Sequence, residues 1–202
     1  MYKEYGWKSG ATHAHGFILP ALLELLNKEK NRSILDVGCG NGYLANYLID
    51  KGFNVYGIDA SSEGISNAQK SNPTRFFKQD INSKILPEML ASHTFDTIIS
   101  TEVIEHLYDP RGYIEFCKSI LATNGELIMS TPYHGYFKNL IMALTGTFDR
   151  HFTALWDGGH IKFWSKKSLI ELLGEFDFKV VEFKGVGRFP YLWKTMFIKV
   201  KI

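Results

Sequence analysis

The stretch that decides the fold is ILDVGCGNGYLANYL, which runs from Ile34 to Leu48. Apolar residues typical of a strand come first, an acid follows, and Gly38, Gly40 and Gly42 then precede residues at helical spacing. Glycine lets the backbone turn sharply and lets a ligand approach closely, because no Cβ stands in the way. We therefore predict a strand, a glycine loop and a helix, with a nucleotide-like ligand against the loop.

On both sides of this stretch, short apolar segments alternate with helical ones. The predicted strands are 33–37, 53–58, 75–79, 95–100 and 126–131, and the predicted helices between them are 42–51, 62–70 and 111–122. Ser61 is suited to cap the second helix, and Asp109 with Pro110 to begin the third. This alternation predicts a single-domain α/β fold with a Rossmann-like, doubly wound sheet that binds ligands at the carboxyl ends of its strands.

The C-terminal third predicts an antiparallel addition to this sheet. A helix capped by Ser165 is expected over 165–176. Two strands, 179–184 and 194–202, follow around a turn that contains Gly and Pro, and they indicate a β-hairpin. The sheet is therefore expected to be seven-stranded and mostly parallel, with an antiparallel C-terminal hairpin.

Two segments lie outside the alternating pattern. Leucines at helical spacing predict a helix over 17–28, within an N-terminal helical segment assigned to 1–30. Segment 132–159 is rich in aromatic residues and too long for an ordinary connection, which is typical of a lid or an acceptor-binding insertion. Its aromatic residues either line an acceptor pocket or only pack the lid's own small core.

Composition narrows the function classes. The net charge of the 202 residues is +2 and no run of Lys or Arg is present, so a nucleic-acid partner is disfavoured. Cys39 and Cys117 fall in a predicted loop and a predicted helix, which favours free thiols in a reducing compartment. No apolar stretch has signal-peptide or membrane-span character, so we expect a cytoplasmic protein without a transmembrane segment. The sequence leaves its oligomeric state open.

The glycine loop fits a dinucleotide poorly, because that fingerprint needs a third glycine where Tyr43 stands. The string D-V-G-C-G-N-G instead resembles motif I of the class I S-adenosylmethionine-dependent methyltransferases, and later segments match that family in order over nearly the whole chain, 1–202. The C-terminal string GVGRFPYLWKTMFIKVKI and the string H-I-K-F-W-S-K-K-S-L resemble its type 11 and type 23 groups.

This resemblance implies S-adenosylmethionine as the cofactor and assigns residues to it. Asp59 matches the acid that bridges the ribose hydroxyls, and Asp36 matches the acid that orders the loop around the methionine end. Asp80 matches the acid that accepts the adenine amino group, with Ile81 beside the ring, although an acid at a strand end is often only a helix cap. The other implied contacts are Gly38, Cys39, Gly40, Asn41, Gly42, Ala60 and Thr101.

The reaction centre is expected in IISTEVIEHLYDP, which runs from Ile98 to Pro110. If Glu102 to His106 forms one helical turn, Glu102, Glu105 and His106 share a face. The string E-x-x-E-H resembles that of the UbiG-type quinone-biosynthesis and the Hen-type RNA 2′-O-methyltransferases, where it contributes metal ligands. His160 in GGHIKFWSKKSL matches the further histidine of the Hen type, so these four residues are a candidate site for Mg²⁺ or another divalent ion.

Other interpretations of the same residues stay open. The string E-V-I-E-H-L is widespread in methyltransferases without a known metal, where Glu105 and His106 act as a cap, a core contact or a general base. His106 is suited to a catalytic base because the ordinary pKa of histidine lies near neutral pH. His13 and His15 also resemble metal ligands, but their spacing is common by chance.

We expect a methyltransferase that acts on a hydroxyl of a small-molecule acceptor. One alternative is an RNA ribose 2′-O-methyltransferase of the Hen type, which the near-neutral charge and the lack of a basic flank disfavour. A second is a non-catalytic, cofactor-binding partner subunit, which the intact glycine loop, Asp36 and Asp59 disfavour.

Overall fold

The computed structural model describes residues 10–152 and 154–202, so the first nine residues of the expected N-terminal segment lie outside it. The strands are β1 Ile34–Val37, β2 Val55–Asp59, β3 Phe76–Lys78, β4 Phe95–Thr101, β5 Leu121–Pro132, β6 Lys179–Val186 and β7 Thr195–Lys201. The helices are α1 His15–Leu25, α2 Tyr43–Asp50, α3 Ser62–Gln69, α4 Pro110–Ile120, α5 Tyr136–Leu144, α6 Phe148–Phe152 and α7 Lys166–Gly174. The expected alternation of strands and helices is confirmed.

All seven strands belong to one sheet, in the order β3-β2-β1-β4-β5-β7-β6. The pairs from β3 to β5 are parallel, and β7 is antiparallel to both β5 and β6, which confirms the expected C-terminal hairpin. The strand order reverses between β1 and β4. Ligands of open α/β sheets bind beyond the carboxyl ends of the strands at such a reversal.

Alternate residues of the central strands point to opposite faces and build two cores. Leu35 and Ile98 pack on one face with α4 and α7. Ile34 and Ile99 pack on the other face with α1, α2 and α3. Because both faces are covered, β1 is buried along its whole length, and its carboxyl end is one of the few parts of it that a ligand can reach.

The three predicted helix caps agree with the structure. The Ser61 hydroxyl accepts from the Gly64 amide at 2.8 Å, and Asp109 accepts from the Gly112 amide at 2.8 Å with Pro110 at the first helical position. Ser165 caps α7, as expected. Helix α1 begins at His15, earlier than predicted, so Pro20 lies inside it.

Segment 132–159 is not an irregular loop, because it contains α5 and α6. An aromatic cluster holds it together: the rings of Phe148 and Phe152 are 4.9 Å apart, and Phe152 lies 4.5 Å from Phe163. Both cysteines are buried free thiols. In the described part of the chain, every helix is too short or too polar to cross a bilayer.

Candidate active site

The glycine loop between β1 and α2 turns through three left-handed residues, Gly38, Gly40 and Gly42, with φ of 81°, 54° and 71°. A Cβ on Gly38 would lie 2.4 Å from Cγ2 of Val103, and a Cβ on Gly42 would lie 2.4 Å from Cβ of Ala68. At these two positions packing within the protein already excludes a side chain, which is a reason for glycine that the sequence alone did not reveal. The loop is thereby locked against the segment that follows β4.

Asp59, at the end of β2, holds this loop in place. One carboxylate oxygen accepts from the amide of Gly40 and the other from the amide of Ser61, both at 2.8 Å. The amides of Gly38 and Cys39 also donate to the carbonyl of Ile58, at 2.9 and 3.1 Å. The carboxylate therefore stands directly beside the loop, at the place expected for a ribose contact.

Asp36 is the most unusual acid of the site. Its side chain is buried, and among the described residues its Oδ1 atom has no hydrogen-bond partner. Burial, and then the negative charge of Asp59, raise the pKa of Asp36 to about 8. A buried carboxyl with a vacant acceptor is suited to a ligand that brings a donor or a positive charge. The Asp36 carboxyl and the glycine loop therefore fit the methionine end of S-adenosylmethionine.

A cavity of about 460 Å³ lies at the carboxyl ends of β1, β2 and β4. Every residue that the sequence assigned to the cofactor lines it except Gly42, which faces Ala68 instead. Asp80 lines the cavity, and its carboxylate also accepts from the amide of Asn82 at 3.0 Å as the cap of a short 3₁₀ turn.

The start of α1 forms a further wall that the sequence argument missed. Thr12, His15 and Ile18 line the cavity. His15 stacks on Tyr43 with ring centroids 4.6 Å apart, and its Nδ1 accepts from the amide of Thr12 at 2.8 Å. A histidine near a helix start was visible in the sequence, but the stacking partner was not. The exposed His13 does not line the cavity, and among residues 10–152 and 154–202 neither histidine belongs to a group of possible metal ligands.

The opposite end of the cavity contains the segment after β4, and here the expected helical turn from Glu102 to His106 is wrong. Glu102 adopts a left-handed conformation with φ of 55°, and only Ile104–His106 form a 3₁₀ turn. The Glu102 amide donates to the Ser130 carbonyl at 3.1 Å, and its carboxylate accepts from the Ser130 hydroxyl at 2.7 Å. Pairing with β5 therefore overrides the local helical spacing, and burial raises the pKa of Glu102 to about 7.

Glu105 is fully buried. Its Oε2 accepts from the Thr131 hydroxyl at 2.9 Å, whereas its Oε1 has no hydrogen-bond partner among the described residues. Burial, and next the charge of Glu102, raise the pKa of Glu105 well above its usual value. The Glu105 carbonyl accepts from the amides of Ile161 and Lys162, which brings the segment with His160 alongside.

The two histidines complete a compact donor set. His106 Nδ1 lies 2.8 Å from the carbonyl oxygen of Gly158, and a carbonyl only accepts, so Nδ1 carries the proton and Nε2 is the basic nitrogen. His106 Nε2 lies 4.0 Å from Glu105 Oε1. One ligand atom each from Glu105, His106 and His160 lies within 4.8 Å of the others. Glu102 lies outside this set, so three of the four predicted ligands converge.

This donor set fits a divalent cation. It offers one carboxylate oxygen and two imidazole nitrogens, and the unpartnered Glu105 Oε1 is an acceptor without a donor in the described residues. A backbone carbonyl that fixes the ring of a histidine is the usual support of a metal-ligating imidazole. Burial lowers the pKa of both histidines, that of His160 to about 4, so both are neutral near pH 7 and able to ligate.

A family model described as a methyltransferase domain matches residues 11–183. The chain belongs to this methyltransferase family. Among curated relatives, the ubiquinone biosynthesis O-methyltransferase of Actinobacillus pleuropneumoniae serotype 7 is 33% identical over 122 residues, which are 55% of this methyltransferase and 52% of that protein. The enzyme of the same name from Dinoroseobacter shibae is 30% identical over 165 residues, 79% of this chain and 65% of that one. This methyltransferase therefore spans between half and two thirds of the length of these two relatives.

Solved structures confirm the fold of this methyltransferase. The magnesium protoporphyrin IX methyltransferase of Synechocystis PCC 6803 with bound SAH has a TM-score of 0.67 at 19% identity, over 91% of this chain and 81% of that one. The methyltransferase domain of bacterial CtHen1 has a TM-score of 0.65 at 19% identity, over 91% of this chain and 97% of that one.

Lys138 is a further residue that the sequence argument missed in this methyltransferase. It lies on the inner side of α5, where its Nζ donates to the Tyr133 carbonyl at 2.7 Å. Burial, and then the charge of Arg188, lower the pKa of Lys138 to about 8, and the charge of Glu102 opposes this shift. The signal in the sequence was a single cation in an apolar helix, but its inward direction depends on the packing of α5.

Proposed function

We propose that this methyltransferase transfers a methyl group from S-adenosylmethionine to a hydroxyl of a small molecule. The observation that carries the proposal is one cavity that is lined both by the glycine loop and Asp59 and by His106 and His160. The relatives named ubiquinone biosynthesis O-methyltransferase support an oxygen atom as the acceptor.

The cofactor supplies an electrophilic methyl group on a sulfonium. Asp59 accepts hydrogen bonds from the ribose hydroxyls, and Asp80 accepts from the adenine amino group with Ile81 against the ring. Asp36 offers its buried Oδ1 to the charged methionine end. Since methyl transfer is an in-line displacement, the remaining task of the protein is to position and deprotonate the acceptor.

Glu105, His106 and His160 would hold a divalent cation, Mg²⁺ or another. When bound there, such an ion would lower the pKa of an acceptor hydroxyl. Thr131 and the Gly158 carbonyl then act as supports, because they orient the Glu105 carboxylate and the His106 ring. Glu102 faces the same cavity from beside this set and is available to orient the acceptor.

A metal-free mechanism is the second candidate, and the geometry of His106 favours it. The Nδ1 proton is committed to the Gly158 carbonyl, so Nε2 is the basic atom, and the lowered pKa keeps the ring neutral near pH 7. A neutral imidazole in this orientation can accept the proton of a phenol or sugar hydroxyl.

A methyl-transfer assay with labelled cofactor tests both mechanisms. The full chain is assayed against phenols, sugars, lipids and small RNAs, with added magnesium and with a chelator. We expect activity on a small-molecule hydroxyl that is lost on chelation and in Glu105→Gln and His160→Ala, while the control His13→Ala retains it.

Three outcomes contradict parts of this proposal. Full activity in chelator combined with a severe loss in His106→Ala would support the metal-free base instead. Transfer to RNA alone would reject the small-molecule acceptor. No transfer to any acceptor together with intact cofactor binding would favour a non-catalytic partner subunit.

A further inference from the structure

The backbone amides of the glycine loop are already engaged within the protein. Five of them donate to internal acceptors at 2.8 to 3.1 Å; they belong to Gly38, Cys39, Gly40, Gly42 and Tyr43. The acceptors are backbone carbonyls and the side chains of Asn41 and Asp59. Loops that hold an anionic ligand leave such amides free to point at it. This loop therefore has few donors for the negative part of a ligand.

The charged groups that line the cavity are acids. In the part of the chain that the structure describes, no Lys or Arg lines it, whereas four acids do, namely Asp36, Asp59, Asp80 and Glu102. S-adenosylmethionine has a positive sulfonium, a positive ammonium and a negative carboxylate. The acids suit the positive groups, but a carboxylate that leaves water needs hydrogen-bond donors. Three histidines line the cavity, and two of them belong to the donor set for a cation, so the third, His15, is the candidate.

Thr12 fixes the tautomer of His15. The Thr12 amide donates to Nδ1 of His15 at 2.8 Å, and an amide nitrogen only donates, so Nδ1 carries no proton. Burial lowers the pKa of His15, so the ring is neutral near pH 7 and its proton is on Nε2. Among residues 10–152 and 154–202, Nε2 has no hydrogen-bond partner. His15 therefore offers one N–H donor to a ligand.

Two contacts hold His15 beside the glycine loop. Its ring stacks on Tyr43, the first residue of α2, with centroids 4.6 Å apart and an angle of 27° between the planes. The side-chain amide of Asn41 donates to the Gly10 carbonyl at 3.1 Å, so the chain before α1 lies against the loop. The ammonium and the carboxylate of methionine are attached to one carbon atom, so their partners have to line one cavity, as Asp36 and His15 do.

We propose that Nε2–H of His15 donates to the carboxylate at the methionine end of the cofactor, while Asp36 faces the ammonium. Because the acceptor is ionised, this hydrogen bond is shorter and stronger than one between neutral groups. The ribose is a less suitable partner, since its hydroxyls can donate to Asp59 and do not require a donor. The assignment rests on the cofactor of the proposed function, but not on the acceptor or on a metal.

Calorimetric titration with two probes tests this assignment. S-adenosylhomocysteine contains the carboxylate, and its decarboxylated analogue, S-adenosyl-3-thiopropylamine, keeps the adenosine, the sulfur and the ammonium. The variant His15→Phe keeps an aromatic ring against Tyr43 and removes both nitrogens. We expect it to bind S-adenosylhomocysteine about tenfold more weakly or worse, which is typical of the loss of a hydrogen bond to a charged group. The analogue should bind the wild type and His15→Phe equally well.

Two further variants separate the donor from the packing of the ring. His15→Gln, whose terminal amide nitrogen can reach the position of Nε2, should recover part of the affinity for S-adenosylhomocysteine. The matched control is His13→Phe, which makes the same change at a histidine that does not line the cavity and should bind both probes as the wild type does. Thermal unfolding verifies that every variant is folded.

Equal losses for the two probes in His15→Phe would overturn the proposal, because the side chain would then act through packing or through the ribose. Wild-type affinity of His15→Phe for S-adenosylhomocysteine would overturn it as well. A loss confined to S-adenosylhomocysteine, in a protein that transfers no methyl group to any acceptor, would support the role of His15 and reject only the proposed reaction.

Discussion

Replacement of Gly38 by Ala perturbs the cofactor loop and the reaction segment together. Gly38 has φ of 81°, and its amide donates to the Ile58 carbonyl at 2.9 Å, so the loop is tied to β2 and has little freedom to move. A new Cβ would lie 2.4 Å from Cγ2 and 3.2 Å from Cγ1 of Val103. Val103 directly precedes the turn Ile104–His106, so relief of this clash displaces the segment that carries Glu105 and His106.

Two separate costs determine the magnitude. An L-residue in the left-handed region costs about 1–2 kcal/mol. Overpacking against a branched side chain typically costs about 1–3 kcal/mol. Gly38→Ala should therefore lower the free energy of unfolding by about 2–5 kcal/mol. If the loop shifts to relieve part of this strain, cofactor binding should weaken instead, with an increase in Kd of about tenfold for each 1.4 kcal/mol.

Denaturant unfolding and calorimetric titration with S-adenosylhomocysteine measure the two effects. Val103→Ala in the Gly38→Ala background removes both γ-methyl groups, so it should recover the packing cost and leave the backbone cost. The matched control is Gly16→Ala, because a Cβ at that exposed position of α1 would have no neighbour within 4 Å. Wild-type stability and affinity in Gly38→Ala would refute the reasoning, as would a zero coupling energy between positions 38 and 103.

Three further predictions concern charged groups. Asp59→Ala removes the acceptor of two backbone amides as well as the proposed ribose contact, so calorimetry should find cofactor binding weakened by about tenfold or more; an unchanged affinity would contradict the assignment. Asp36, with its pKa of about 8, holds a proton near pH 7, so binding of the cationic cofactor should release a proton and tighten as pH rises; a binding enthalpy that is the same in buffers of different ionisation enthalpy would rule this out. Burial raises the pKa of Glu126, but hydrogen bonds from Lys199 and Lys201 outweigh it and hold the pKa below its usual value. This stabilisation is present above the unfolded-state pKa and is lost as pH falls, so Glu126→Gln should destabilise the protein at neutral pH and less in acid; a difference in unfolding free energy that does not vary with pH would count against it.

Local patterns were sufficient for most of the fold. The period of the apolar residues distinguished strands from helices, and the caps at Ser61, Asp109 and Ser165 were recognised because a cap depends on residues within one turn. The interpretation of E-x-x-E-H as a helical turn was wrong because it also relied on a local pattern alone. Helical spacing is a local signal, and the pairing of Glu102 with Ser130 of β5, which overrides it, is not.

By itself the sequence determined the order of the elements, the glycine loop, the acids at three strand ends and the family. Only the tertiary structure decided what those residues face. It set Gly38 against Val103, directed the Nδ1 proton of His106 to Gly158 about fifty residues later in the chain, and turned Lys138 inward while its neighbours face outward. Each of these contacts depends on which distant segments pack together. Packing is decided by the burial of whole faces of the helices and the sheet, and the spacing of residues within a single segment does not encode it.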